Sequence, residues 1–103
     1  MGQDLKDDKA AEEEGLVAIK APMVGTFYCS PEPGAKPFVD LDSGRNVQVE
    51  KDTIVGLIET MKVFSSVAAG ISGEIVKQLV KNSQFVEYNQ PLFLVRPEGE
   101  QDK

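Results

Sequence analysis

The chain is built twice. The segment APMVGTF (21–27) aligns with AGISGEI (69–75) at an offset of 48, and VEKDTIVGLI (49–58) aligns with VEYNQPLFLV (86–95) at an offset of 37. Ala21, Gly25, Val49 and Glu50 return as Ala69, Gly73, Val86 and Glu87, and the apolar Leu57 returns as Leu94. Two matches in the same order mark a duplicated unit. A chain of 103 residues holds one small domain, so both copies belong to a single fold.

Each copy reads as β structure. LVAIKAPMVGTFY (16–28) and SVAAGISGEIVKQLV (66–80) are strand–turn–strand patterns broken by Pro22, Gly70 and Gly73. TIVGLIE (53–59) and PLFLVR (91–96) are short apolar strands, and no stretch carries a helical stripe. Short strands at regular spacing predict an all-β sandwich or flattened barrel. A pseudo-two-fold axis relating the copies would generate its two sheets.

The two offsets differ by 11 residues, so the first copy carries an insertion of that length between Phe27 and Val49. Its centre is SPEPGAKPF (30–38), where three prolines pre-set φ and lower the disorder of the free loop. Two readings stand: an ordinary surface loop, or a stiff projection that contacts something.

Composition narrows the chemistry. There is no histidine, which removes His-based triads and the usual zinc sites, and Cys29 is the lone cysteine, so no internal disulfide forms. No metal site, paired-acid constellation or Gly-rich phosphate loop is evident, and no residue is assigned a catalytic role. Of the net charge of −6, residues 1–15 contribute −4 and residues 97–103 contribute −2, leaving 16–96 neutral. That excludes a basic nucleic-acid face. The acidic ends read as a solvated linker (1–15) and a solvated tail (97–103), flanking a body over 16–96 with the insertion at about 29–40. No apolar run is long enough to span a bilayer and no signal core opens the chain, so a soluble, intracellular protein is expected.

ETMKVF (59–64) lies where the first copy ends and the second begins. A two-residue hairpin turn favours Asn-Gly or Asp-Gly, because its central residues need positive φ. Here the centre is Met61-Lys62. Either Lys62 is a solvated turn lysine, or the turn accepts unfavourable residues in return for something else. The offsets place residues 14 and 99 opposite Lys62, so the lysine is expected at one tip and both chain ends at the other.

APMVGTFY, a Pro-rich insertion, IETMKVF and GEIVKQLVKNSQFVEYNQPLFLV together resemble the biotinyl domains of the biotin carboxyl carrier proteins of acetyl-CoA carboxylase, over nearly all of 16–96. The resemblance implies a barrel-sandwich hybrid, or hammerhead, of two four-stranded antiparallel sheets with a protruding thumb. It implies biotin as an amide on Lys62, and a non-catalytic carrier shuttling a carboxyl group from a biotin carboxylase to a carboxyltransferase in fatty acid synthesis. The insertion matches the family's thumb, which offers Ser30, Pro31, Pro33, Lys36, Pro37 and Phe38 to touch biotin or block approach to it. The family's usual core is Ala-Met-Lys-Met; this chain has Thr60 for the alanine and Val63 for the second methionine.

A lysine with a pKa near 10.4 is neutral in only about one molecule in two thousand at pH 7, and no histidine is present to deprotonate Lys62. A separate biotin protein ligase must therefore activate biotin and supply the base. Glu59, Met61 and Val63 are its expected recognition elements, with Glu59 also readable as an ordinary solvated strand residue. The resemblance places the protein in the cytoplasm, or in a plastid stroma after removal of a transit peptide. Two other readings stay open: a lipoyl carrier domain of the same fold, whose motif resembles Asp-Lys-Ala, and an unmodified hammerhead binding module.

Overall fold

The computed structural model describes residues 15–41 and 47–98. Eight strands follow in order: β1 (Val17–Lys20), β2 (Gly25–Tyr28), β3 (Val47–Val49), β4 (Ile54–Thr60), β5 (Val63–Ala68), β6 (Gly73–Gln78), β7 (Gln84–Val86) and β8 (Pro91–Pro97). They form two four-stranded antiparallel sheets, β1-β8-β6-β3 and β5-β4-β2-β7. The described residues contain no helix long and apolar enough to cross a membrane.

The duplication maps strand onto strand. An offset of 48 carries β1 onto β5 and β2 onto β6; an offset of 37 carries β3 onto β7 and β4 onto β8. Applied to the first sheet in order, these offsets return the second. Each sheet takes two strands from each copy, so the copies interleave and neither builds a sheet alone. Turn contacts repeat as well. Ala21 N donates to Gln90 O at 2.9 Å as Ala69 N donates to Thr53 O at 2.8 Å, and the Glu50–Thr53 turn matches the Glu87–Gln90 turn bond for bond.

The core lies between the sheets because strand side chains alternate faces. Phe27, Val55, Ile58, Val67, Ile75, Val86, Phe93 and Val95 are buried there, with Phe27 and Phe93 edge-on at 6.0 Å. Complete burial of an aliphatic or aromatic side chain of this size contributes about 1.5–3 kcal/mol. Two glycines let strands close. A Cβ on Gly25 would overlap the Glu59 carbonyl, and a Cβ on Gly73 would overlap the Arg96 carbonyl, the same contact in each copy.

The first and last described residues lie away from Lys62. Val17 pairs with Val95, and Glu98 N donates to Ser72 O just beyond the end of β5 opposite the Met61-Lys62 turn. Apart from Gly15, Pro97 and Glu98, the linker and tail expected at 1–15 and 97–103 lie outside the described residues, as do residues 14 and 99.

Candidate functional site

β4 and β5 pair up to Thr60 and Val63, leaving Met61 and Lys62 as a two-residue turn with φ of 53° and 69°. Positive φ at both centres is what a type I′ turn demands. Left-handed backbone costs an L-residue other than glycine about 1–2 kcal/mol. The chain accepts that strain twice in succession, and its outward product is an exposed amine. Met61 is 90% exposed and Val63 64%. Lys62 is thus flanked by apolar side chains that stay mostly exposed.

The structure gathers Met61, Lys62 and Val63 at this tip. Glu59, next to last in β4, is half-buried, and its carboxylate accepts the Tyr28 hydroxyl at 3.2 Å. That bond, with partial burial and the negative charge behind it, holds the Tyr28 phenol above its ordinary range. Thr60 was not among the expected site residues, yet its hydroxyl donates to the Val24 carbonyl at 2.6 Å and sits 4.0 Å from Met23 Sδ. Its sequence signal was the departure from alanine before the Met-Lys pair.

The insertion is a closed projection. Phe38 N donates to Cys29 O at 2.8 Å, sealing the base of residues 29–38, and Gly34 at φ 83° completes a turn in which Ala35 N donates to Glu32 O at 3.1 Å. The short β6–β7 connection buttresses that base. Asn82 Oδ1 accepts from Cys29 N at 2.8 Å, Ser83 N donates to Phe27 O at 2.7 Å, and Gln78 Nε2 reaches Cys29 Sγ at 3.3 Å. Burial pushes the Cys29 thiol up, partly opposed by the Gln78 amide.

Between the projection and the outer face of the second sheet is a cavity of about 340 Å³, lined by Tyr28, Ser30, Pro31, Pro33, Leu57 and Phe64 among others. Phe64 stands two residues after Lys62, so the cavity begins beside the tip. Of the expected thumb residues, Ser30, Pro31 and Pro33 line it. Lys36, Pro37 and Phe38 do not; Pro37 faces a second opening with Val39 and Lys77, and Phe38 seals the base. Sequence reasoning gave no role to Tyr28, Phe64 or Asn82: strand pairing brings Tyr28 and Phe64 to this face, and Asn82 reaches it from the β6–β7 connection.

The family model described as Biotin-requiring enzyme, of the biotin/lipoyl type, matches residues 17–95, from the start of β1 nearly to the end of β8. The chain belongs to this family. Relatives of this biotin/lipoyl domain include the biotin carboxyl carrier protein of acetyl-CoA carboxylase of a Nostoc species, 37% identical over 94% of this chain and 48% of the relative. The corresponding protein of Pseudomonas aeruginosa is 39% identical over 75% of this chain and 47% of the relative. A chloroplastic one from Arabidopsis thaliana is 40% identical over 77% of this chain and 29% of the relative. The chain thus spans half the length or less of these relatives. Among solved structures, a single-chain, multi-domain long-chain acyl-CoA carboxylase shares the fold, with a TM-score of 0.62 at 20% identity over 85% of this chain and 8% of that one.

Proposed function

We propose that Lys62 is the attachment point of biotin and that the chain is the carrier part of an acetyl-CoA carboxylase, presenting that group to a biotin carboxylase and then to a carboxyltransferase. The observation that carries this reading is the Met61-Lys62 turn: two non-glycine residues held at positive φ, with the amine at an exposed tip away from the described chain ends. The residues fit the group. The lysine stands clear of the sheet for amide formation, and the cavity flanked by Phe64 and the thumb is of a size to receive a small heterocycle. The named activity of the relatives agrees with this reading.

The division of labour follows from what the chain contains. Lys62 Nζ would form the amide with the biotin carboxyl group, while a biotin protein ligase activates that carboxyl group and removes the proton. Met61 and Val63 offer the ligase an exposed apolar grip on either side of the amine. Glu59, tied to Tyr28, adds a fixed negative charge one strand position inward. When attached, biotin supplies a ureido ring able to carry a carboxyl group, and the protein contributes delivery and no catalytic residue. Ser30, Pro31 and Pro33 would wall one side of the tip and restrict approach. Tethering replaces a dilute encounter with an effective concentration on the order of millimolar. Bacterial and chloroplastic relatives fit a cytoplasmic or plastid setting.

Incubation with biotin, ATP and a biotin ligase, followed by an avidin blot and mass measurement, tests the assignment. Wild type should gain one biotinyl group and Lys62→Arg none. A lipoyl addition on protein from its native host would overturn the biotin reading, because the two additions differ in mass.

A further inference from the structure

Thr60 ends β4 immediately before the left-handed turn. Its hydroxyl reaches across to the β1–β2 connection and donates to the Val24 carbonyl at 2.6 Å, joining segments 36 residues apart. Gly25 makes the approach feasible: a Cβ there would stand 2.7 Å from Thr60 Oγ1 and 2.6 Å from Ile58 Cγ2. The other copy separates scaffold from clasp. Gly73 lies over the Arg96 carbonyl just as Gly25 lies over that of Glu59, but the position equivalent to Thr60 is Pro97, which has no hydroxyl. The fold therefore closes at both places through glycine, and the hydroxyl is present only where the strand runs into Lys62.

We propose that Thr60 is a positioning residue for acylation of Lys62: its bond to Val24 holds the Met61-Lys62 turn in the left-handed conformation that presents the amine. This rests on Lys62 being the attachment lysine. Two successive left-handed residues strain the turn by more than one net hydrogen bond returns; the bond offsets part of that strain, so its loss lowers the fraction of molecules in which the turn is formed. A partner that accepts only the formed turn sees its apparent affinity fall by the fraction formed.

The test compares wild type, Thr60→Val, Thr60→Ser and Lys62→Arg in biotinylation by a biotin ligase with biotin and ATP, alongside amide hydrogen exchange of the unmodified proteins. In Thr60→Val the KM for the carrier should rise about threefold to tenfold with kcat nearly unchanged, from the loss of one hydrogen bond. The Val63 amide, which faces Thr60 across the hairpin, should exchange faster by a similar factor while the core Phe93 amide does not change, and Thr60→Ser should restore both. An unchanged KM in Thr60→Val overturns the proposal. So does loss of protection at Phe93 equal to that at Val63, which would make the hydroxyl a general stabiliser of the fold. Failure of wild type to take up biotin at Lys62 would instead sink the attachment reading, and the exchange data would still decide whether the clasp holds the turn.

Discussion

The rings of Tyr28 and Phe64 meet on the outer face of the second sheet, centroids 5.9 Å apart and planes inclined by 39°. One comes from β2, the other from β5, and Leu57 of β4 lies in the strand between them. At the same offsets lie Val76 and Leu94 of the first sheet and Leu16 just before β1, which join Ala18 and Leu79 in a closed aliphatic cluster. The two copies therefore treat one surface in opposite ways. Where the thumb stands, small aliphatics give way to an aromatic pair and a cavity.

Truncating these equivalent positions should have different consequences. Phe64 is 57% exposed, so Phe64→Ala should lower stability by less than about 1 kcal/mol. Leu94 is buried, so Leu94→Ala should cost about 2–4 kcal/mol. Urea unfolding measures both. In biotinylated protein, Phe64→Ala should also increase the mobility of the attached ring seen by NMR relaxation, an effect Leu94→Ala should lack.

The turn itself trades stability for an amine. Replacing Met61-Lys62 with Asn-Gly supplies the residues that tolerate positive φ at both centres. The double variant Met61→Asn/Lys62→Gly should gain about 1–2 kcal/mol in unfolding free energy and accept no biotin. A double variant no more stable than wild type would mean that the tip carries no strain.

The duplication and the Met-Lys seam were legible because identities such as Gly25/Gly73 and Val49/Val86 survive at fixed offsets. β3 and β7 were not read as strands: VQV and QFV are three residues each, too short for periodicity to register, and they exist because β6 and β2 present edges to them. The thumb's length came from the difference in offsets. Its buttress at Asn82 and the Thr60–Val24 bond did not, because contacts between residues 53 and 36 positions apart leave no local pattern.

Equivalent glycines give a sharper test of the duplication. Gly25→Ala and Gly73→Ala each force a Cβ onto a neighbouring backbone carbonyl, so each should destabilise by about 1–3 kcal/mol. Only Gly25→Ala also pushes against Thr60 Oγ1. Biotinylation should therefore slow in Gly25→Ala at temperatures where both variants remain folded, and proceed at the wild-type rate in Gly73→Ala. Equal slowing in both would show that the tip feels only global stability.

The base of the thumb can be read through Cys29. Burial raises its thiol pKa, so the folded state favours the protonated form. A raised pKa contributes stability that is complete below the unfolded value, about 8.5, and is lost as pH rises through the folded value. Alkylation by iodoacetamide at pH 8 should accordingly be slower than for the unfolded chain, and the gap should narrow in alkali as the thiolate forms. Gln78 opposes the shift by hydrogen bonding to the sulfur, so Gln78→Leu should slow alkylation further. Asn82→Ala should do the reverse, because Cys29 N loses its partner and the base opens to solvent. An Asn82→Ala protein alkylated no faster than wild type would show that the Phe38–Cys29 bond alone keeps the thumb seated.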